Sequence, residues 1–345
     1  MAKTILITGG AGFIGSNFLH HILSRYPDYR IHVLDALTYA GSVDSLPPQF
    51  LDSDDPNFTF WYGDVCNAEL VNTLVAECDL VFHFAAETHV TRSIFDNAKF
   101  FHTDVIGTHT VASAVLKAGS RIERFVHIST SEVYGTASRE AMDEDHPLNP
   151  MSPYASAKCG ADRLVYSYWQ TYGLPVVIVR PFNTFGPCQH LEKVIPRFIT
   201  SMFLGEELTV HGSGKAARDF VFVEDVCQAL DLIMKAPDKQ VHGQIFNVAS
   251  GQSRAIIDVA QDIVRLMDSG SGQIVHMRDR PGQVLRHTGD TSKIERVLGW
   301  EPRVDWEAGL RRTIDWYSAN PEWWRQRVWM RKIPLTFTDG HTEYH

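Results

Sequence analysis

Near its start the chain carries a β-branched apolar run, Thr4–Thr8, followed at once by Gly9-Gly10-Ala11-Gly12-Phe13-Ile14-Gly15. A helical period of apolar positions then runs to about Tyr26, and Ile31–Leu34 reads as a second strand closed by Asp35. The alternation continues with strands at Phe58–Tyr62, Leu80–Phe84, Arg124–Ile128 and Val176–Arg180. Helices are expected over Ala68–Glu77, Ala98–Lys117 and from Tyr154 to about Tyr172. Apolar strands separated by helices and short turns predict a doubly wound parallel sheet, with its ligand site at the carboxyl ends of the strands.

From about Phe182 the pattern changes to short strands and turns between helices at Lys193–Leu204, Val223–Lys235, Ala255–Met267 and Trp306–Asn320. The expected architecture is therefore α/β: a Rossmann-type doubly wound sheet with a smaller, sequence-interleaved C-terminal α/β substrate domain. Residues 1–181 would form the first domain, with 219–250 returning to it. Residues 182–218 and 251–345 would form the second. Arg218, Arg278, Arg280 and Arg286 lie near glycine-rich turns there and suit an anionic ligand. The end of the chain, 322–345, is rich in Trp and basic residues and is expected to pack on its own domain or to cover a pocket or subunit contact.

Composition narrows the class. The 345 residues are 44% hydrophobic, enough for a sizeable core, and the formal net charge of −9 argues against a nucleic-acid or anionic-membrane binder. No apolar run approaches the roughly 20 residues that span a bilayer, and Met1–Leu6 passes into the first strand without a signal-peptide core. The five cysteines are scattered and odd in number, which reads as reduced thiols in a cytoplasmic protein. None of the 16 histidines is read as a metal ligand, so no metal is expected.

The glycine run has a specific chemical use. Gly9 allows a tight turn, Gly12 lets backbone approach a pyrophosphate, and Gly15 lets helix pack on strand, with Phe13 and Ile14 opening the helix whose N–H groups face the phosphates. Asp35, 20 residues beyond Gly15, would accept from ribose hydroxyls and repel a 2′-phosphate, which favours NAD. Asp64, with Val65 beside it, is placed near the adenine. Tyr154 and Lys158 share a helix face at i,i+4, and an ammonium beside a phenol favours the phenolate, so the tyrosine can serve as a base. Ser129-Thr130-Ser131-Glu132 adds hydroxyls and a carboxylate at a strand's carboxyl end.

Together these motifs resemble the extended short-chain dehydrogenase/reductase superfamily over nearly the whole chain. Leu37-Thr38-Tyr39-Ala40-Gly41, Ala85-Ala86-Glu87-Thr88-His89-Val90-Thr91-Arg92-Ser93, Glu192-Lys193-Val194-Ile195-Pro196 and Arg218-Asp219-Phe220 are similar to the dTDP-glucose 4,6-dehydratases. Arg280-Pro281-Gly282 fits the same pattern. The resemblance implies a nucleotide-sugar 4,6-dehydratase with tightly held NAD, contacted also by Ala85 and Ala86. Catalysis would come from Thr130, Ser131, Glu132, Tyr154 and Lys158. Glu87, His89, Asn183, Lys193, Arg218 and Arg280 would bind the nucleotide-diphosphate sugar. It also implies a homodimer built through the helices near Ala98–Lys117 and Tyr154–Tyr172. Those enzymes carry Thr-Asp-Glu where this chain has Thr130-Ser131-Glu132, and the aspartate protonates the departing 6-hydroxyl. Thr-Ser-Glu is instead similar to GDP-mannose and GDP-N-acetylglucosamine 4,6-dehydratases and to UDP-glucuronate decarboxylases. Asp104 and Gln283 also depart, standing where asparagine and histidine are usual. UDP-glucuronate decarboxylation and 4-epimerisation begin with the same oxidation and stay open as alternatives. A non-catalytic NAD-sensing protein is disfavoured by the intact Tyr154 and Lys158.

Overall fold

A computed structural model describes residues 2–51, 55–267, 272–279, 284–336 and 340–344. The first six strands are β1 (Thr4–Thr8), β2 (Arg30–Asp35), β3 (Phe58–Tyr62), β4 (Leu80–His83), β5 (Arg124–Ile128) and β6 (Val176–Pro181). They form a seven-stranded parallel sheet in the order Gln244–Val248, β6, β5, β4, β1, β2, β3. The chain winds outward from β1 to β3, then restarts at β4 on the other side of β1. Winding therefore reverses between β1 and β4, and the crevice above that junction is where such sheets bind ligands.

Helices cover both faces, which is why the central strands are apolar almost throughout. Ile5, Ile7, Phe18, Val33, Phe82 and Val126 pack on one face with the Val223–Lys235 helix, and Leu6, Leu34, Val81, Val111, Phe125 and Ile178 on the other. After Pro181 the chain leaves the sheet and re-enters it at Gln244–Val248. Between and after these points it builds a second core from Phe185, Phe198, Phe222, Ile263, Tyr317 and Trp324. Around that core lie a three-stranded sheet (Ser253–Ala255, Ala217–Phe222, Asn183–Phe185) and a two-stranded one (Ile274–Met277 with Leu208–His211).

One expected helix differs. The stretch read as a helix over Ala98–Lys117 contains a π-helical segment, Phe101–Gly107, before regular helix resumes at Thr108–Ala118. A wide turn has no hydrophobic period of its own, so it is invisible to a periodicity argument. It places Asp104 in the interior, where its Oδ1 accepts the Glu87 N–H at 2.8 Å.

The helix Pro153–Tyr172 begins as its sequence dictates. Ser152 accepts the Ala155 N–H, proline occupies the first turn, and Gly173 closes the end in the left-handed conformation. Near the end of the chain Trp323 and Trp324 are buried, and Arg327 lies 4.6 Å over the Trp323 ring and 2.9 Å from Asp44. Trp329 and Tyr344 are exposed, and Phe337 lies outside the described residues. Among the described residues no helix is long and apolar enough to cross a membrane.

Candidate active site

A cleft of about 440 Å³ runs along the carboxyl ends of the strands from the glycine turn to the second core. At its first end Gly9 adopts φ +72°, and a Cβ there would meet the Ala85 nitrogen at 2.5 Å. A Cβ on Gly15 would meet the Gly9 carbonyl oxygen at 2.4 Å, so strand, turn and helix close up only without side chains. A Cβ on Gly12 would touch only the Gly9 oxygen, at 3.2 Å, so Gly12 leaves backbone open toward the cleft. Asp35 is buried at the end of β2, its carboxylate accepting N–H groups of Ala11 and Leu37 at 2.9 and 2.8 Å. Burial pushes its carboxyl up and those two bonds pull it down. Phe13, Ile14, Asp64, Val65, Ala85 and Ala86 also line this end. An elongated cradle with a bare glycine turn, a helix N-terminus and one buried acceptor fits NAD.

The middle of the cleft holds the reactive groups. At the end of β5 the chain turns through Ser131–Tyr134, with the Thr130 hydroxyl accepting the Glu132 N–H at 3.2 Å. Beneath this turn, Ser129 donates to Asp162 at 2.7 Å. Arg180 binds both oxygens of Asp162 at 2.9 Å and donates to the Tyr134 hydroxyl at 2.9 Å. Tyr134 in turn donates to Asn247 at 2.8 Å. The turn is thus bolted to a buried, charge-assisted network.

Tyr154 and Lys158 both line the cleft from one helix, as their spacing predicts. Burial pushes the Tyr154 phenol up, the Thr130 hydroxyl opposes this by hydrogen bonding to it, and Asp104 and Glu132 push it further up. The Lys158 ammonium donates to the Ile128 carbonyl at 2.7 Å. Burial lowers Lys158, and the Asp104 and Asp162 carboxylates raise it. The Thr130 hydroxyl therefore counters the rise at Tyr154.

At the far end, Glu87 pairs with Lys99 at 3.1 Å, and the Lys193 ammonium donates to the Thr88 carbonyl at 2.6 Å. His89 caps the Val90–Phe95 helix by accepting the Arg92 N–H at 3.4 Å. Asn183 and Arg218 line the cleft, with Arg218 buried and donating to the Val284 carbonyl at 2.8 Å. Arg280 lies outside the described residues. Arg286 is held by the backbone carbonyls of Arg139 and Glu140, which makes it a strut between segments.

Some groups at the site were not singled out from the sequence. Glu192 is buried and receives Arg92 at 2.8 Å and the Tyr39 hydroxyl at 3.0 Å, while the Arg92 guanidinium lies 4.2 Å over the Tyr39 ring. Burial pushes Glu192 up, but His89, His190, Lys193 and Arg92 outweigh it and bring it to about 2. Arg197 lines the same wall. His287 lies behind Ser131, with Nε2 on the Gly135 carbonyl at 2.7 Å and Nδ1 3.5 Å from Ser131 Oγ. The signals were single letters inside quoted motifs (Tyr39, Arg92, Glu192) or none at all for His287.

A family model described as GDP-mannose 4,6 dehydratase matches residues 6–313. The chain is 42% identical over 325 residues to a dTDP-glucose 4,6-dehydratase of Mycobacterium tuberculosis, covering 93% of this chain and 95% of that one. It is 40% identical over 328 residues to a trifunctional UDP-glucose 4,6-dehydratase/UDP-4-keto-6-deoxy-D-glucose 3,5-epimerase/UDP-4-keto-L-rhamnose-reductase of Arabidopsis thaliana. That match takes in 93% of this chain, which spans only 48% of the plant protein's length. Among solved structures, the dTDP-glucose 4,6-dehydratase DesIV of Streptomyces venezuelae, crystallised with NAD bound, superposes with a TM-score of 0.88 at 38% identity, covering 94% of this chain and 99% of that one.

Proposed function

Because the chain belongs to the GDP-mannose 4,6 dehydratase family, we propose that it is an NAD-dependent nucleotide-sugar 4,6-dehydratase, a lyase that makes a 4-keto-6-deoxy sugar. The observation that carries this reading is the convergence of Tyr154, Thr130 and Glu132 on one cleft that also contains the glycine turn and Asp35. A tyrosine base alone would suit an oxidation or a 4-epimerisation. A carboxylate beside it adds the second base that elimination requires.

Bound NAD supplies the hydride acceptor for C4 and, once reduced, the hydride donor for C6. Tyr154 takes the proton from the sugar 4-hydroxyl, and the Thr130 hydroxyl steadies the oxygen as it becomes a carbonyl. The 4-ketone acidifies the C5 hydrogen, which Glu132 removes and later returns. Lys158 holds the Tyr154 end of the site through the Ile128 carbonyl and contributes positive charge. Asn183, Lys193 and Arg218 grip the diphosphate, and Glu87 and His89 contact the sugar. Residues 1–181 with 223–250 act as the cofactor lobe, and 182–222 with 251–345 as the substrate lobe; the expected boundary at 219 shifts because Ala217–Phe222 pairs with Asn183–Phe185 and Ser253–Ala255 around the second core.

A homodimer accords with the apolar Phe101 and Ile106 exposed on the segment Phe101–Gly107, and with exposed Tyr172 at the end of the neighbouring helix. Five unpaired thiols accord with the reducing cytoplasm. Incubation with UDP-, dTDP-, GDP- and CDP-hexoses followed by mass spectrometry tests the activity. Loss of one water is the expected result. A mass-neutral product would replace this reading with epimerisation, and loss of carbon dioxide from a uronate with decarboxylation.

A further inference from the structure

Elimination needs a proton for the departing 6-hydroxyl, and Ser131 has no acidic proton of its own at neutral pH. His287 is fully buried directly behind it. The segment that carries His287 is pinned on both sides, by the bridges Ala217↔Arg286 and Met142↔Gly289 and by the His287 N–H to the Ala217 carbonyl at 3.1 Å. Nε2 sits 2.7 Å from the Gly135 carbonyl. A carbonyl only accepts, so Nε2 carries a hydrogen in every protonation state of the ring that keeps this bond. The other nitrogen, Nδ1, faces Ser131 Oγ at 3.5 Å. Ser131 lines the cleft, next to Glu132.

Resting on the dehydratase reading, we propose that His287 is a positioning residue that turns Ser131 into the proton donor for the leaving hydroxyl. With the ring neutral, Nδ1 is an acceptor, so the Ser131 hydroxyl donates inward and presents its oxygen lone pairs to the cleft. With the ring protonated at both nitrogens, the bond reverses. Nδ1–H then donates to Ser131 Oγ, and the serine proton faces the substrate.

Glu132 takes the C5 proton, the C5–H electron pair forms the C5–C6 double bond, and the C6–O bond breaks with its pair going to oxygen. That oxygen takes the Ser131 proton and leaves as water, and Ser131 Oγ takes the proton from Nδ1. His287 regains a proton from solvent, matching the one that Tyr154 releases after accepting it from the 4-hydroxyl. The charged and titratable groups around His287 are Glu132, which favours the protonated ring, and Arg218 and His146, which disfavour it; burial also disfavours it. Since the donor form is the protonated one, elimination slows as pH rises.

The test is single-turnover kinetics on the NAD-loaded enzyme with whichever nucleotide hexose the wild type dehydrates, following reduced cofactor by absorbance and water loss by mass. Ser131→Ala, which removes one oxygen and keeps the pinned turn, should leave cofactor reduction at the wild-type rate. It should slow elimination on the order of 100-fold, the low end for removal of a general acid, so that reduced cofactor accumulates. His287→Gln keeps an N–H for Gly135 but cannot titrate. It should slow elimination comparably and remove the pH dependence of that step. The double variant should be no slower than Ser131→Ala alone. Ser131→Asp, which places an acid on the same turn, should restore elimination even with His287→Gln. Wild-type-like elimination in Ser131→Ala, or an unchanged pH profile in His287→Gln, overturns the proposal. Failure of the wild type to reduce its cofactor with any nucleotide hexose overturns the dehydratase reading instead.

Discussion

Asp162 and Arg180, both sealed from solvent, hold each other through two hydrogen bonds of 2.9 Å directly beneath the turn that carries Thr130 and Glu132. Burial alone would raise the Asp162 carboxyl. Arg180, Arg163 and the Ser129 hydroxyl outweigh burial and hold it well below the usual carboxylate range. Asp162→Asn removes the countercharge and leaves the Arg180 guanidinium buried, a change that costs about 3–5 kcal/mol. The expected outcome is a lower urea midpoint together with a reduced rate, because Arg180 also positions Tyr134. Replacing both residues by Met and Leu should recover most of the stability but not the rate. If the single variant unfolds like wild type, the network is not what supports the turn.

Thr130 makes a second, separable prediction. Its hydroxyl acts on Tyr154 and pulls the phenol down against burial and the charges of Asp104 and Glu132. Thr130→Val keeps the shape and removes the hydroxyl, so the phenolate forms only at higher pH. The base must be deprotonated to act, so the rising limb of the pH profile for C4 oxidation should move to higher pH. At neutral pH, loss of a hydrogen bond of about 1 kcal/mol corresponds to a rate roughly fivefold lower. Stopped-flow absorbance of reduced cofactor measures this step directly. A shift to lower pH would show that the hydroxyl serves the neutral phenol instead.

These pairings also show where sequence reasoning reaches and where it stops. Gly9, Gly12, Gly15 and Asp35 were legible because strand, turn and helix follow each other locally, and each glycine has a steric reason of its own. Tyr154 and Lys158 were legible as neighbours on one helix face, yet the direction of the lysine was not. Its target, the Ile128 carbonyl, lies 30 residues away on another element. Ser131 and His287 are 156 residues apart, and Arg92 and Glu192 are 100 apart. No local period encodes such meetings. They follow from the return of the chain across the sheet, which the alternation of elements implied but could not resolve to individual side chains. Asp104 was visible as an unusual letter, but only the wide π turn explains its burial.

The glycine turn separates folding from cofactor binding. Gly9→Ala places a Cβ 2.5 Å from the Ala85 nitrogen in a backbone conformation at φ +72°, where alanine is strained by roughly 1–2 kcal/mol before any clash. Gly12→Ala has φ −81°, no such strain, and one contact at 3.2 Å. Gly9→Ala should therefore lower the urea midpoint clearly. Gly12→Ala should unfold near the wild-type midpoint while binding NAD at least about tenfold more weakly, since its methyl group occupies the approach to the pyrophosphate. Equilibrium unfolding and quenching of tryptophan fluorescence by NAD measure the two effects separately. Equal NAD affinity in Gly12→Ala would remove the pyrophosphate from that position.

Acid stability should be set by groups that the fold keeps out of their solution protonation states. His83 is fully buried between the Thr8 and Thr108 hydroxyls, at 2.7 and 2.9 Å, and burial with the Lys158 charge lowers it to about 3. Burial likewise lowers His190 to about 4, although Glu192 opposes this. Both bind a proton in the unfolded chain near the ordinary value of 6.5 and not in the folded one, so each removes stability as pH falls below 6.5. Glu192 acts in the same sense in a lower window. Its folded value of about 2 lies below the ordinary 4.5, so its stabilisation is complete above 4.5 and is lost as pH falls toward 2. That contribution is on the order of 3 kcal/mol. The expected urea midpoint therefore declines in two stages, first below pH 6.5 and again below pH 4.5. Glu192→Gln should lower stability at neutral pH and flatten only the second stage. A variant whose midpoint falls as steeply as wild type below pH 4.5 would show that another carboxylate carries the acid limb.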